Sequence, residues 1–296
     1  MRFGSEIRII PALILACFAF VATADGAGRA RYLGSFPWDM DKPWFGGWSG
    51  IELSADGQNM TAITDRGYIL GAGITREGDR ITAVTPRQAW HLKASTGAYL
   101  TPKITDSEGL AIAPDGMIHI SFEGVTRVSR YSRPAVSARV LRHHKAFRGF
   151  PKNKSLEALA IDHRERLFAI PEHLVNDTEI RVFVLDGTVW STPFTLNGSN
   201  GFLPVGADFG PDGRLYLLER AWSVLGFRAR VRRWDVDGDQ PHNEQLLLQT
   251  RTGTHDNLEG LAVWRDEQGR TRLTMVADDN FKPFQRTELV EYALQE

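Results

Sequence analysis

The sequence has little cysteine and almost no net charge. Its one cysteine excludes a disulfide scaffold and a zinc site built on several thiolates. Its 35 basic and 36 acidic residues give a formal net charge of -1, so there is no electrostatic footprint for binding nucleic acid. We therefore expect a small-molecule ligand as the partner of this chain, and no nucleic acid.

Helical periodicity is also missing. No long stretch repeats its apolar residues with the period of an α-helix, whereas 28 glycines, 14 prolines and 8 tryptophans indicate many turns and aromatic packing. The length of 296 residues allows one large domain or two ordinary ones. This composition favours an all-β fold.

The longest apolar run, residues 9–21, is shorter than the roughly 20 residues that span a bilayer. Arg2 and Arg8 precede or flank it, and residues 22–24 (Ala-Thr-Ala) supply the small side chains that a signal peptidase reads. We predict a cleaved signal peptide over residues 1–24 and a mature domain over residues 25–296. That domain would be periplasmic or secreted, without a transmembrane segment.

Cys17 offers another interpretation of the same segment. Residues 14–17 loosely resemble the cleavage box of a lipoprotein, which would leave a lipid anchor on Cys17. Leu15 fits that box poorly, and apolar residues continue beyond the cysteine. The ordinary signal peptide is therefore favoured, and it leaves a mature chain without cysteine, which suits an oxidising compartment.

An internal repeat is the most informative feature of the sequence. The copies are SGIELSADG (49–57), EGLAIAPDG (108–116), EALAI (157–161), VGADFGPDG (205–213) and EGLAV (259–263). A second apolar run follows each copy, and two short strands joined by an Asp-Gly turn form a β-hairpin. A period of roughly 50 residues with about four strands per unit is typical of a β-propeller.

We therefore predict a single all-β propeller with five blades. Six blades stay open, because the interval between the first two copies is the longest and has room for another unit. The last unit lacks one strand, which residues 31–36 near the other end of the chain could supply. A ring closed by strands from both ends of the chain has no exposed sheet edge at that point.

Acidic residues recur at the strand ends of this repeat. The second strand of each hairpin ends at Asp65, Glu123, Glu172, Glu219 or Asp278, and three first strands begin at Glu108, Glu157 and Glu259. Because the two strands are antiparallel, the start of the first lies beside the end of the second. All eight carboxylates are thus expected at one mouth of the central channel. Where a first-strand acid is missing, Glu52 and Asp208 follow three residues later.

Crowded carboxylates need cations. Arg66, Arg220 and Lys282 follow mouth acids in the sequence, and a calcium ion is the other source of positive charge, because calcium prefers carboxylate and amide oxygens. Asn257 and Asn280 are suitable amide donors. The alternative is that these acids only form salt bridges between blades. The sequence contains neither a Gly-x-Ser-x-Gly nor a His-Glu-x-x-His motif, so serine-hydrolase and zinc-protease mechanisms have no direct support.

Six short motifs in a fixed order carry a resemblance to a known family. They are TDRG (64–67), DSEGL (106–110), LEALA (156–160), LLER (217–220), DNLEGL (256–261) and DDNF (278–281). From about Arg31 onward the chain resembles the bacterial phytase-like family called esterase-like activity of phytase. The resemblance implies an exported propeller with hydrolase activity, distantly akin to calcium-dependent propeller phytases. The small number of basic residues near the mouth (Arg66, Arg220, Lys282, Arg286) favours a smaller substrate than phytate.

We predict a calcium-dependent hydrolase of an ester or phosphoester, acting as a monomer. The predicted metal ligands are Glu108, Glu157, Glu259, Asn257, Asp65 and Asp278. Glu172 or Glu219 would act as general base, and Arg66 and Arg220 would bind developing negative charge. His173, Lys282 and Asn280 would contact the substrate. Two alternatives stay open: a non-catalytic propeller that binds a periplasmic ligand or protein, and a lactonase similar to gluconolactonase-type propellers.

Overall fold

The computed structural model describes residues 29–151, 154–198, 201–237 and 240–295. The predicted signal peptide and Cys17 lie outside these ranges. Across the ranges that are described, no helix is long and apolar enough to cross a membrane.

Short antiparallel strands build five small sheets, which are the blades. After β1 (Ala30–Pro37), blade 1 contains β2 (Trp48–Leu53), β3 (Asn59–Thr64), β4 (Tyr68–Glu77) and β5 (Arg80–His91). Blade 2 contains β6 (Ser107–Ile112), β7 (Ile118–Phe122), β8 (Arg127–Tyr131) and β9 (Arg139–Val140), and a 3₁₀-helix, Lys145–Gly149, follows it.

Blade 3 contains β10 (Leu156–Ile161), β11 (Leu167–Pro171), β12 (Leu174–Val175), β13 (Glu179–Asp186) and β14 (Val189–Asn197). Blade 4 contains β15 (Leu203–Phe209), β16 (Leu215–Ser223), β17 (Gly226–Asp235) and β18 (His242–Gln249). Blade 5 contains β19 (Asn257–Arg265), β20 (Thr271–Asp278) and β21 (Glu288–Leu294), and β1 is its fourth strand. The predicted five-bladed propeller is confirmed, and the six-bladed alternative is wrong.

The ring closes as the sequence predicts. Strand β1 pairs antiparallel with β21, with Phe36 opposite Leu289 and Arg31 opposite Ala293. Strands from near the two ends of the chain thus complete one blade. This pairing covers the edge of β21 that would otherwise be exposed.

The hydrophobic core is divided among the five contacts between neighbouring blades. At the contact of blades 4 and 5, for example, Val205 and Leu218 pack with Leu261, Met275 and Tyr292, all of them buried. Equivalent clusters join blades 3 and 4, 5 and 1, 1 and 2, and 2 and 3. The first strand of each blade lies innermost, around a narrow central channel.

A glycine near the start of four of the five repeat copies (Gly50, Gly109, Gly206 and Gly260) allows the inner strands to approach closely. A Cβ on Gly109 would lie 2.6 Å from the Cβ of Leu159 and 2.7 Å from the carbonyl oxygen of Glu157, both in the next blade. A Cβ on Gly206 would lie 2.6 Å from the carbonyl oxygen of Glu259. A glycine at this position is therefore a packing requirement of the inner ring, and in blades 2 and 5 the residue before it also supplies a carboxylate.

Candidate functional site

A β-bulge aims the first-strand acids at the mouth of the channel. The pairing of each inner strand with its neighbour shifts register at one point: at Glu157 between Leu156 and Ala158, and at Glu259 between Leu258 and Gly260. Ser49 and Val205 hold the same position in blades 1 and 4, and the shift in blade 2 spans Glu108. A bulge re-aims its side chain, and here it turns these carboxylates inward.

The register also defines one mouth position in each second strand, which is counted from the bulge of the inner strand. The second-strand residues that pair with the inner strand just before its bulge are Thr64, Phe122, Pro171, Glu219 and Ala277. The next residue of each blade points into the mouth, and those residues are Asp65, Glu123, Glu172, Arg220 and Asp278. The mouth position is thus filled by four acids and one arginine.

Glu219 does not lie at the mouth, contrary to the expectation from the sequence. It precedes the mouth position by one residue, and a shift of one residue turns a strand side chain to the opposite face. Its side chain is fully buried and accepts hydrogen bonds from Arg230 at 2.7 and 2.8 Å and from Arg232 at 2.7 and 2.8 Å. Glu219 therefore joins strands of blade 4, and we assign it no part in the site.

The bulge carboxylates of blades 2 and 3 are crowded by others. Burial raises the pKa of Glu108 well above its ordinary value, and the neighbouring charges of Asp106, Glu259, Glu123 and Asp65 raise it further. Burial likewise raises the pKa of Glu157, with contributions from Glu108, Glu123, Glu172 and Glu259. These side chains therefore share one electrostatic environment, as the sequence predicts.

One part of the mouth has the spacing of a metal site. Carboxylate oxygens of Asp106, Glu108 and Glu123 all lie within 4.8 Å of one another. Glu123 also accepts a hydrogen bond from the backbone N–H of Ser155 in blade 3. Sequence reasoning did not select Asp106, although it stands two residues before the bulge acid, as Asn257 does in blade 5.

The opposite part of the mouth is organised by Arg220. Its guanidinium donates to Asn257 Oδ1 at 2.6 Å, to Glu172 Oε1 at 2.9 Å and to Glu259 Oε1. Asn257 also donates to Glu259 at 2.7 Å. Burial raises the pKa of Glu259 to about 7, although Arg220 opposes this shift. Two predicted metal ligands, Asn257 and Glu259, are thus engaged by an arginine in this structure.

Asp65 and Asp278 complete the mouth between blades 1 and 5. Burial and, after it, the charge of Asp278 together raise the pKa of Asp65 to about 7, whereas burial raises the pKa of Asp278 to about 6. Asp65 Oδ1 is buried and has no hydrogen-bond partner in the described part of the chain. The guanidinium of Arg66 lies over the ring of Phe281, 3.2 Å from its centroid, and donates to the Pro43 carbonyl at 3.4 Å.

A side cavity of about 420 Å³ opens beside Asp65 and Asp106. Arg66, Tyr68, His91, Leu100, Pro102 and Thr105 line the rest of it. The rings of Tyr68 and His91 are stacked at 4.8 Å, with Trp44 on the far face of Tyr68 and Tyr99 on the far face of His91. This stack fixes the edges of Tyr68 and His91 along the cavity wall, next to the carboxylates.

The three predicted substrate-binding residues lie outside the crowded carboxylates. His173 Nδ1 donates to the carbonyl of Lys154 at 2.8 Å, and its ring meets Phe150 edge to face. The backbone N–H of Asn280 donates to Asp278 Oδ1 at 2.8 Å, and Lys282 is exposed in the following turn. All three follow a mouth acid within four residues.

Glu52 and Asp208 lie at the other end of the channel. They line a cavity of about 1040 Å³ together with residues of the Asp-Gly turns, such as Asp212 and Gly213. Three residues along a strand cover roughly 10 Å, which carries these side chains away from the mouth. Burial raises the pKa of Glu52 well above its ordinary value and that of Asp208 to about 7. Asp208 also accepts a hydrogen bond from the N–H of Val263 at 2.6 Å.

Residues 43–281 match the sequence model of the phytase-like family described as esterase-like activity of phytase. No protein of curated function matches the sequence. Among solved structures, the chain is similar to the PQQ-bound aldose sugar dehydrogenase of Streptomyces coelicolor, at 12% identity and a TM-score of 0.49, over 91% of this chain and 100% of that one. It is also similar to the tail fibre of Staphylococcus aureus phage P68, at 12% identity and a TM-score of 0.46, over 90% of this chain and 52% of that one. Likenesses of this size carry no information on activity.

Proposed function

We propose, on the premise that this chain belongs to the phytase-like family described as esterase-like activity of phytase, that it is a calcium-dependent hydrolase of an ester or phosphoester. One observation carries the proposal, the excess of carboxylates over bound cations at the mouth. The carboxylates belong to Asp65, Asp106, Glu108, Glu123, Glu157, Glu172, Glu259 and Asp278. Within the described residues, Arg220 is the one cation that forms salt bridges with any of them.

The donor set fits calcium. Asp106, Glu108 and Glu123 supply hard oxygen ligands within 4.8 Å of one another, and none of them forms a salt bridge with a described residue. We propose these three as the principal ligands, with Glu157 beside them and with Asp65 and Asp278 at a second position. Asn257 and Glu259 could join only after Arg220 is displaced. When bound, calcium supplies positive charge that polarises a substrate oxygen and makes a nearby water more acidic.

The protein side chains have separate parts in this proposal. Glu172 lies at the mouth, oriented by Arg220 at 2.9 Å, and is the candidate general base. Arg66 is exposed, forms no salt bridge with a described residue and is held over Phe281, so it can bind negative charge that develops on the substrate. His173, Asn280 and Lys282 are candidates for contacts at the rim.

The side cavity beside Asp65 limits the size and the charge of the substrate. It can take an uncharged group of one ring in size, with the edges of Tyr68 and His91 as hydrogen-bonding partners. Few cations are available around it, so a highly anionic substrate would be poorly neutralised. We therefore propose a small ester, lactone or phosphomonoester or phosphodiester as the substrate class.

The test combines a binding and an activity measurement. Calcium binding is measured by titration calorimetry on the protein and on the Glu108→Gln and Glu123→Gln variants, with Glu219→Gln as the matched control. We expect the first two variants to lose about tenfold or more in calcium affinity and the control to keep it, because affinity follows the number of charged ligands.

Hydrolysis of aryl esters, aryl phosphoesters, phytate and simple lactones is measured with calcium and with a chelator. Turnover that survives the chelator would exclude a calcium-dependent mechanism, and calcium binding without any turnover would favour a binding propeller.

We also propose that the protein is exported to the periplasm or beyond and acts there as a monomer. The apolar run of residues 9–21 and the small residues at 22–24 support export. N-terminal sequencing of the protein recovered from the periplasm should begin near Asp25. An intact N-terminus on protein from the cytoplasm would contradict this proposal.

A further inference from the structure

Strands β16 and β17 continue past the mouth as a two-stranded hairpin. Beyond Arg220, Ala221 pairs with Arg228, Trp222 with Phe227 and Ser223 with Gly226. The Ser223 hydroxyl donates to the carbonyl of Gly226 at 3.2 Å and accepts from the N–H of Leu225 at 3.3 Å. The tip at residues 224–225 is therefore held in a defined two-residue turn.

The tip is apolar and uncovered. Trp222 is 69% exposed, Val224 89% and Leu225 81%. No described residue covers these three side chains, although a single exposed leucine would need no explanation. Three large apolar side chains within four positions at a convex tip indicate an interaction surface.

Exposed basic side chains lie on the segments next to the hairpin. The N–H of Gly253 donates to the carbonyl of Phe227 at 2.9 Å, so the turn that carries the exposed Arg251 lies against the hairpin. The carboxylate of Asp256, a few residues on, accepts from Gln285 Nε2 at 3.1 Å and from the N–H of Arg286 at 3.0 Å.

The loop tied down by Asp256 carries exposed Lys282, Phe284 (79% exposed) and Arg286. The side chains of Arg251, Lys282 and Arg286 form no salt bridge with any residue that the structure describes. Cations that are available to bind anions thus lie on the segments beside the hairpin.

We propose that this surface binds an anionic lipid bilayer. Trp222, Val224 and Leu225 enter the boundary between headgroups and acyl chains, and Arg251, Lys282 and Arg286 contact lipid phosphates. A fluid surface accepts a convex apolar tip without a matching groove, tryptophan favours the interface, and flanking cations add attraction to anionic lipids.

The hairpin would also orient the mouth. Trp222 lies two residues after Arg220 on the same face of β16, since alternate residues of a strand share a face. A propeller anchored by this tip therefore holds its mouth toward the lipid. The proposal does not depend on the activity proposed above, because it rests on exposed residues outside the carboxylate cluster.

Vesicle binding tests the proposal. The purified protein is sedimented with vesicles of phosphatidylglycerol and phosphatidylcholine in equal parts, and with pure phosphatidylcholine. We expect binding to the anionic vesicles that weakens with salt, and a fall in partitioning of about tenfold or more in the Trp222→Ser/Val224→Ser/Leu225→Ser variant. The control is Val189→Ser, since Val189 is 64% exposed at the start of β14, opposite Asp186 at the end of β13, which runs away from the mouth. Equal partitioning of the parent and the triple variant would overturn the proposal.

A label at the tip separates lipid contact from other causes. Val224→Cys and, as the control on the opposite face, Gln268→Cys are made in the predicted mature chain, residues 25–296, which contains no other cysteine, and are labelled with an environment-sensitive fluorophore. We expect a blue shift with anionic vesicles at residue 224 alone. A shift at neither residue would overturn the proposal. It would also be overturned if the triple variant changed only the oligomeric state in size-exclusion chromatography, because the tip would then be covered by a second copy of the chain.

Discussion

The guanidinium of Arg220 donates to the Glu172 carboxylate at 2.9 Å, from the position in blade 4 that Glu172 itself holds in blade 3. The same guanidinium reaches Glu259 in blade 5, so one cation links three blades across the mouth. The mouth is consequently divided into a neutralised part around Arg220 and an acidic part around Glu108. This division places the three proposed principal metal ligands in blade 2, and Arg220 orients Glu172, the proposed general base.

Replacement of Arg220 by Gln should destabilise the protein. The change leaves Glu172 and Glu259, whose side chains are each 13% exposed, without their positive partner, and we expect a loss of about 2–3 kcal/mol at pH 8 in calcium-free buffer. Calcium should restore more stability to this variant than to the parent, because an ion can take the place of the lost charge. Urea unfolding with and without calcium measures both effects.

The control for this variant is Arg251→Gln, which removes an exposed arginine that forms no salt bridge with a described residue. It should change the free energy of unfolding by less than about 0.5 kcal/mol. If Arg220→Gln is as stable as Arg251→Gln without calcium, the mouth carboxylates do not need a cation, which would contradict the proposed metal site.

Replacement of Glu219 by Gln separates structural from functional acids. Glu219 is fully buried between Arg230 and Arg232, so the neutral side chain leaves two guanidinium groups with less compensation, and we expect a loss of about 3 kcal/mol in the free energy of unfolding. Calcium affinity should stay within about twofold of the parent, because the residue lies outside the proposed ligand set. Thermal unfolding and calorimetry measure the two quantities. A loss of calcium affinity without a loss of stability would return Glu219 to the site.

The sequence predicts the ring far better than the chemistry of its mouth. The repeated apolar runs determine the five inner hairpins, and their glycines supply close packing at Gly109 and Gly206 and, in three blades, an Asp-Gly turn at the other end of the strands. The inward carboxylates Glu108, Glu157 and Glu259 follow from the same repeat. The apolar and acidic pattern therefore contains most of the fold.

The errors at the mouth come from single-residue register. Sequence spacing could not show that Arg220, and not Glu219, holds the mouth position of blade 4. Each inner strand contains a bulge, and the position of that bulge depends on tertiary pairing. Which carboxylates cluster and which bind an arginine depends on contacts between blades. Asp106 and Asn257 hold similar places in the repeat, yet Asp106 lies with other acids and Asn257 accepts from Arg220.

Stability should depend on pH through the carboxyl pair at the other end of the channel. Burial raises the pKa of Asp208 to about 7, above its unfolded value of about 3.9, so its contribution to stability is present at pH 4 and is lost as the pH rises toward 7. Asp208→Asn should therefore be more stable than the parent by about 2 kcal/mol at pH 8 and nearly equal to it at pH 4. The amide oxygen of the new side chain can still accept from the N–H of Val263. Urea unfolding at both pH values measures the difference.

Glu52→Gln serves as the companion variant, because burial and the charge of Asp208 raise the pKa of Glu52 as well. It should stabilise the protein at pH 8 in the same direction. A variant pair that is less stable than the parent at pH 8 would show that both side chains are ionised and compensated in solution.

Replacement of Gly109 by Ala should disrupt the inner ring, whereas the same change at Gly71 should not. A Cβ at Gly109 would lie 2.6 Å from the Cβ of Leu159 and 2.7 Å from a backbone oxygen, while nothing lies within 4 Å of a Cβ at Gly71. Because the crowded atoms belong to the backbone and to a buried side chain, blades 2 and 3 must move apart, and we expect a loss of about 2–3 kcal/mol for Gly109→Ala. Gly71→Ala should be neutral or slightly stabilising, since alanine costs the unfolded chain some entropy. Equal stability of the two variants would show that the inner strands are not in close contact, and the narrow channel that gathers the carboxylates would lose its basis.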